Sequence, residues 1–186
     1  MGHHTFDVDD ADKLEETAWR YRFLSAEELL WTVSPSPEHT VADLGSGTGF
    51  YTDDVAPHAG EVYAVDVQKA MHEYYQEKGA PANVELVTTG IEDLPFETDA
   101  IDAAFSTMTY HEFASDDALA AIRRALGPAG RLAIVDWTAT GTGENGPPLD
   151  ERYTADAAAN ALRDYGFGIE HEATRSETFL LVATVE

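Results

Sequence analysis

The residues with the clearest chemical potential surround a glycine-rich segment. Asp43 stands two residues before Gly45, at the end of an apolar run, and Gly45, Gly47 and Gly49 alternate with polar residues. Glycine tolerates positive φ and lets a ligand come close to the backbone. Nicotinamide dinucleotide sites use Gly-x-Gly-x-x-Gly instead, and their helix N-terminus holds a pyrophosphate. A carboxylate at Asp43 would repel phosphate and would accept hydrogen bonds from an ammonium group.

Two later segments extend this predicted site. Asp66 lies 21 residues after Gly45 and ends the apolar run Val62–Val65. An acid in this position can bind two ribose hydroxyls. The segment Gly90–Phe96 follows the third apolar run, where an apolar side chain and a polar group could bracket an adenine. A ligand with an amino-acid end, a ribose and an adenine but no phosphate is S-adenosyl-L-methionine.

These segments resemble the class I S-adenosylmethionine-dependent methyltransferases, most closely the small type 11 group related to the ubiquinone/menaquinone-biosynthesis C-methyltransferases. The resemblance runs from about Val41 to the C-terminus. It is carried by four stretches in order: Asp43–Gly49, Val65-Asp66, Glu92–Phe96 and Ile101–Ser106. It implies an α/β, Rossmann-like three-layer sandwich. The implied sheet is seven-stranded and mainly parallel, of order 3-2-1-4-5-7-6, with an antiparallel C-terminal hairpin strand.

The resemblance also implies roles for individual positions. Asp43 and the backbone of Gly45–Gly47 would hold the methionine amino group, and Thr52 would hold the carboxylate. Asp66 would bind the ribose diol, and Ser106 would lie near the methionine moiety. The implied cofactor-binding residues are Asp43, Gly45, Ser46, Gly47, Thr48, Gly49, Thr52, Asp66, Val67, Ile91, Glu92, Asp93 and Ser106.

At the adenine end, Val67 would pack on the base, and Ile91 and Glu92 would meet its edge. Family members often have Asp or Asn where this chain has Gly90. Asp93 or the backbone of Ile91 would then supply that contact. The implied product of the bound cofactor is S-adenosyl-L-homocysteine.

The residues that could act on a methyl acceptor are less specific. Methyl transfer needs alignment and exclusion of water, and it needs a general base only when the nucleophile carries a proton of high pKa. His111 could be that base or could orient the acceptor with Glu112, and the alternative is that His111 packs at a helix start. Asp136 and Trp137, at the end of the fifth strand, are a second candidate pair. The predicted acceptor-pocket residues are Tyr21, Tyr51, Met108, Tyr110 and Trp137.

A metal site is not predicted. His3 and His4 could suggest one, but adjacent residues point apart. An N-terminus containing these histidines and Phe6 would more plausibly fold over the cofactor.

Alternating strands and helices must position these residues, and they favour a parallel sheet covered on both faces. Residues 5–33 show helical spacing, and Ser34–Pro37 forms a linker. We expect one domain over 1–186, with residues 1–37 as a helical cap over the acceptor site and 38–186 as the cofactor-binding core. Gly141–Pro148 would complete the lid. Predicted strands are Val41–Leu44, Glu61–Val65, Val84–Thr88, Ala100–Ser106, Arg131–Val135, Ile169–Ala173 and Thr178–Val185, and predicted helices are Thr48–Ala56, Gln68–Lys78, Asp116–Leu126 and Thr154–Tyr165.

The amino-acid composition limits the binding partners and the environment that we expect for the protein. The 186 residues include 35 Asp and Glu against 11 Lys and Arg, for a net charge of −24, and no cysteine. Such a polyanion disfavours nucleic acid and anionic membranes, and the missing thiols exclude cysteine chemistry. The acids are spread along the chain, which suits an extreme halophile whose molar salt screens them. No apolar stretch predicts membrane insertion or a signal peptide, so we expect a cytoplasmic monomer or homodimer.

The leading hypothesis is an S-adenosylmethionine-dependent methyltransferase that acts on a small-molecule acceptor. The alternatives are C-methylation of a quinone precursor, or a non-catalytic protein that binds S-adenosylmethionine. A nicotinamide-dependent oxidoreductase is disfavoured by the glycine spacing and by Asp43.

Overall fold

One seven-stranded sheet forms the centre of the protein. The computed structural model describes residues 8–186, so the predictions on His3, His4 and Phe6 lie outside the described residues. The sheet order is β3-β2-β1-β4-β5-β7-β6, with β1 to β5 parallel and β7 antiparallel to β5 and β6, which confirms the predicted fold class. The strands are β1 (Thr40–Leu44), β2 (Glu61–Asp66), β3 (Val84–Thr88), β4 (Ile101–Thr107), β5 (Leu126–Trp137), β6 (Phe167–Thr174) and β7 (Thr178–Val185).

Helices cover both faces of this sheet. They are α1 (Thr17–Phe23), α2 (Ala26–Val33), α3 (Phe50–Val55), α4 (Lys69–Lys78), α5 (Tyr110–Phe113), α6 (Asp116–Ala125) and α7 (Ala155–Asp164). Because side chains alternate along a strand, one face of the sheet packs against α6 and α7 and the other against α2 and α3. Asp43 shares the parity of Val41 in β1, so it points to the face that carries α3.

The N-terminal segment is divided where the sequence predicts one helical stretch. A 3₁₀ helix over Val8–Glu15 precedes α1, and Ser25 begins α2 by accepting a hydrogen bond from the Glu28 backbone N–H. The Ser25 hydroxyl thereby satisfies one free N–H of the new helix.

Two predicted boundaries were wrong. Helix α3 begins at Phe50 and not at Thr48, because Gly49 takes a left-handed conformation (φ 78°) as its N-cap. Strand β5 begins at Leu126, directly after α6, where Gly127 and Pro128 were expected to separate helix from strand. An irregularity in the pairing of β4 with β5 absorbs this extension.

Candidate functional site

The glycine loop crosses the carboxyl ends of β1 and β2. The backbone N–H groups of Gly45 and Ser46 both donate to the Val65 carbonyl, at 2.8 and 2.9 Å. Gly45 has a φ of 84°, and a Cβ at this position would collide with the Thr109 side chain. The sequence therefore needs glycine here both for its conformation and for space.

Asp43 is a buried acid with one unused oxygen. Its Oδ2 accepts a hydrogen bond of 2.6 Å from the Thr52 hydroxyl, while Oδ1 has no partner. Burial raises the pKa of Asp43 to about 7, against the opposing effect of the Thr52 hydrogen bond. A cationic ligand group beside Oδ1 would lower this pKa again and would stabilise the carboxylate.

Two buried hydroxyls near Asp43 also have no partner. They belong to Ser46, in the glycine loop, and Ser106, near the end of β4. Strand β4 is the immediate neighbour of β1, with Asp43 paired to Phe105. Because Asp43 pairs with Phe105, Ser106 points to the other face of the sheet, so the oxygens of Asp43 and Ser46 are the ones that could serve one ligand group. Buried polar atoms are normally hydrogen-bonded, so these two oxygens indicate a ligand with donors. The ammonium group of S-adenosylmethionine fits this set.

Asp66 holds the loop and is also suited to a diol. Its Oδ2 accepts from the Gly47 N–H and its Oδ1 from the Gln68 N–H, both at 2.8 Å. Each carboxylate oxygen can accept a second hydrogen bond, which leaves capacity for two ribose hydroxyls. Behind it, His72 is buried with Nδ1 2.9 Å from the Thr88 hydroxyl, and burial lowers its pKa, which favours the neutral imidazole beside Asp66.

The predicted adenine residues lie on one short 3₁₀ turn, Ile91–Asp93, and beside it. Ile91 is buried, whereas Glu92 and Val67 are exposed. A Cβ at Gly90 would lie 2.7 Å from Glu92 Oε1, so the Glu92 carboxylate fills the space of the missing side chain. The Glu92 carboxylate therefore accounts for the glycine at position 90. It is the acidic group next to this turn.

Thr48 and Thr52 are already engaged with the protein. The Thr48 hydroxyl donates to Glu15 at 2.5 Å, and Glu15 also pairs with Lys78. Thr52 is fully buried, and its hydroxyl hydrogen goes to Asp43. Thr52 therefore has no free donor for the predicted bond to a ligand carboxylate, and we correct its role to that of orienting Asp43.

His111 forms a dyad with Asp136. His111 Nδ1 lies 3.0 Å from both carboxylate oxygens, and Asp136 Oδ2 accepts a 2.7 Å hydrogen bond from the His111 backbone N–H. Burial lowers the pKa of His111, but the hydrogen bond and charge of Asp136 outweigh this, so the pKa lies above its ordinary value. Glu112 Oε1 is 3.9 Å from His111 Nε2, and burial raises the pKa of Glu112 to about 7 despite the opposing charge of His111.

Comparison with known proteins identifies the family. Residues 42–134, half of the chain, match the family described as "Methyltransferase domain". The chain belongs to this methyltransferase family. A crystal structure of a SAM dependent methyltransferase from Aquifex aeolicus superimposes with a TM-score of 0.88 at 28% identity, over 98% of this chain and 100% of that one.

Curated relatives match over shorter regions. A methyltransferase-like protein of Schizosaccharomyces pombe is 32% identical over 51% of this chain and 37% of its own length. The ubiquinone/menaquinone biosynthesis C-methyltransferase of Pasteurella multocida is 32% identical over 54% of this chain and 40% of its own. The chain thus spans only about half or less of the length of the curated relatives it matches. The cyclase SpnF shares the fold with a TM-score of 0.74 at 17% identity.

Two predicted pocket residues lie in the core instead. Tyr51 is buried and donates through its hydroxyl to the carbonyls of Arg20 and Leu24, each at 3.0 Å. Tyr110 packs edge-on against Phe113 with 5.6 Å between ring centroids and is buried. We correct both to structural residues, because both rings are buried within the protein and the Tyr51 hydroxyl donates to backbone carbonyls.

Of the remaining pocket candidates, Met108 and Trp137 lie under α1, and Tyr21 belongs to α1 itself. Trp137 and Met108 form a buried cluster with Phe23, and the Trp137 and Phe23 rings meet at 4.9 Å between centroids. Tyr21 donates instead to Asp54, at 2.8 Å, outside this cluster. These side chains therefore form an aromatic wall between α1 and the end of β5.

Sequence reasoning missed the pairing of His111 with Asp136 and the burial of Arg20. Asp136 follows the apolar end of β5, as Asp43 and Asp66 follow their strands, so an acid at a strand end was the available indication. Among the described residues of the chain, no group of His and acidic side chains has metal-binding geometry. Within the same residues, no helix is long and apolar enough to cross a membrane.

Proposed function

We propose that this protein transfers a methyl group from S-adenosylmethionine to a small-molecule acceptor. The observation that carries the proposal is the buried Asp43 oxygen that has no partner, two residues before the glycine loop. Family membership supports the reaction type, and the net charge of −24 disfavours a nucleic-acid acceptor.

The chain's own residues would bind, align and exclude water. S-adenosylmethionine supplies a methyl carbon already activated by the sulfonium and leaves as S-adenosylhomocysteine. Asp43 would hold the ammonium group and Asp66 the ribose, which fixes the cofactor at both ends. Residues 8–37 and Gly141–Pro148 would form the cap that keeps water from the acceptor.

His111 would serve an acceptor whose nucleophile carries a proton. Asp136 is fully buried and accepts from Nδ1, which favours the tautomer with its lone pair on Nε2. His111 Nε2 would take the proton from the nucleophile of the methyl acceptor, and Asp136 would stabilise the resulting imidazolium. Glu112, close to Nε2, would orient the acceptor.

Binding of S-adenosylhomocysteine tests the proposal, and Asp66→Ala is the diagnostic change. We expect the variant to bind more weakly by about 1.5–3 kcal/mol, because charge-assisted hydrogen bonds to the ribose are lost. Isothermal titration calorimetry measures this. Asp164→Ala, which removes an exposed acid from the end of α7, is the matched control and should bind like wild type. Near-wild-type affinity in Asp66→Ala would contradict the assignment.

Transfer of a labelled methyl group to a cell metabolite extract then separates an enzyme from a binding protein. A labelled small molecule identifies the acceptor for kinetic work. Cofactor binding without any labelled product would favour the non-catalytic alternative.

With that acceptor, His111→Ala should lower kcat by roughly 10²–10⁴-fold, the usual contribution of a positioned general base. The neutral imidazole is the base, and the pKa of His111 is raised. The kcat/KM of the wild-type protein should therefore increase with pH through the neutral range. This increase should be absent in His111→Ala. His58→Ala, at an exposed histidine, serves as the control. Full turnover in His111→Ala would remove His111 as base.

C-methylation of a quinone precursor is the second candidate. The relatives from Pasteurella multocida and Ectopseudomonas mendocina, both named ubiquinone/menaquinone biosynthesis C-methyltransferase, favour it. Methylation of a short-chain quinone precursor in the same labelling assay would support it, and labelled product only from other metabolites would exclude it.

A further inference from the structure

Arg20, in α1, is a buried cation without a carboxylate partner. Only 8% of its surface is exposed, and its Nε has no hydrogen-bond acceptor. Its guanidinium carbon lies 4.6 Å from the centre of the Tyr51 ring, and Nη1 is 3.9 Å from the Met108 sulfur. Within the part of the chain that the structure describes, no acid forms an ion pair with it. Burying an unpaired charge is costly.

The surroundings of Arg20 place it at the glycine loop. Tyr51 belongs to α3, which starts directly after the loop, and Met108 precedes Thr109, whose side chain packs against Gly45. Asp43 and Glu15 attract the guanidinium at longer range. Arg20 thus faces the same end of the sheet as the unsatisfied oxygen of Asp43.

The charges at this end match an amino acid. Asp43 offers an oxygen without a partner, and the Arg20 cation offers an Nε–H without an acceptor, which together complement an ammonium and a carboxylate on one carbon. Arginine presents a planar fork of donors that suits a carboxylate. The sequence assigned the carboxylate to Thr52. In the structure the Thr52 hydroxyl donates its hydrogen bond to Asp43 instead.

We propose that Arg20 binds the carboxylate of the methionine end of S-adenosylmethionine and thereby ties α1 to the bound cofactor. This inference rests on the proposed function. It also explains why an N-terminal helix packs onto the cofactor core through a charged residue. The same helix carries Phe23 of the aromatic wall, so cofactor binding would stabilise the wall that covers the acceptor.

A comparison of two ligands tests the proposal. S-adenosylhomocysteine carries both groups, and its decarboxylated analogue keeps only the amino group. Wild-type protein should bind S-adenosylhomocysteine about 10- to 100-fold more tightly, as expected for a charge-assisted pair. Arg20→Met should lose this preference, with weaker binding of S-adenosylhomocysteine and little change for the analogue. Arg22→Met, at an exposed arginine of the same helix, should keep it.

The outcomes separate the two proposals. Equal wild-type affinity for both ligands, or an equal loss for both in Arg20→Met, would overturn the role of Arg20 and leave the methyltransferase assignment standing. Wild-type protein that binds neither ligand would overturn both. If Arg20→Met does not fold, Arg20→Lys decides, since it keeps the charge without the fork: a loss confined to S-adenosylhomocysteine supports the proposal, and no selective loss overturns it.

Discussion

Replacing Asp43 with asparagine is expected to stabilise the folded protein and to remove most of its affinity for S-adenosylhomocysteine. Burial raises the pKa of Asp43 from 3.8 to about 7, so ionising this carboxyl in the ligand-free fold costs about 4 kcal/mol at 1.36 kcal/mol per pKa unit. Asparagine has nearly the same shape, and its oxygen can still accept from Thr52. Since the buried amide also needs partners, we expect a net gain of about 1–3 kcal/mol.

The affinity should change in the opposite direction. An ionised Asp43 would hold the ammonium group through charge-assisted hydrogen bonds, and a neutral amide cannot replace them. We expect the variant to bind S-adenosylhomocysteine roughly 100-fold more weakly. Wild-type affinity should also decrease as the pH falls below about 7, because protonated Asp43 no longer pairs with the ammonium group.

The pH dependence identifies Asp43 as the source of the stability difference. The pKa is raised in the folded state, so the protonated carboxyl favours folding below pH 3.8, and this contribution is lost as the pH rises through about 7. The advantage of Asp43→Asn should therefore grow from about pH 4 and level off above about pH 7. Urea unfolding at several pH values measures it, with Asp164→Asn as a control of equal charge change. Equal stability of variant and wild type at pH 8 would contradict the prediction.

Asp43 lies at the end of a strand, and this placement shows why the fold can be predicted well from the sequence. Parallel strands covered on both faces are largely apolar runs. Here β1 is such a run and is followed by Gly45, and β2 is another and ends at Asp66. Asp43 and Asp66 end two such runs, so the topology alone brings them to one edge of the sheet. The spacing of the glycines that follow Asp43 then distinguishes a site for an ammonium group from a site for a pyrophosphate.

Side-chain direction and long-range pairing could not be predicted in this way. Tyr51 and Tyr110 have residue types that suit a pocket, but only the packed helices show that their rings face the core. His111 and Asp136 are 25 residues apart, and Arg20 meets Met108 across 88 residues. Such contacts depend on how α1 and α5 are placed over the sheet, and local pattern does not specify that placement.

The distribution of charge leads to the second large effect, a strong dependence of stability on salt. Several of the few cations already pair with acids: Lys78 with Glu15 and Asp53, Arg131 with Glu170, and Arg175 with Glu28. Most of the 35 acids therefore have no cationic partner, and their repulsion at a net charge of −24 opposes the compact state. Molar salt shortens the screening length to ~3 Å, which removes most of this repulsion.

We expect the melting temperature to rise by about 10–20 °C between about 0.1 M and 3 M KCl, which corresponds to about 5 kcal/mol at 2–4 °C per kcal/mol. Differential scanning calorimetry measures the shift. A variant in which three exposed acids become amides (Glu97→Gln, Asp150→Asn and Asp164→Asn) should be more stable at low salt and should respond less to KCl, because it has less repulsion to screen. Sucrose, which is excluded from protein surfaces but screens no charge, should stabilise both proteins equally. A melting temperature that does not change with KCl would show that the acids are not an adaptation to salt, and their number would then need an explanation in binding.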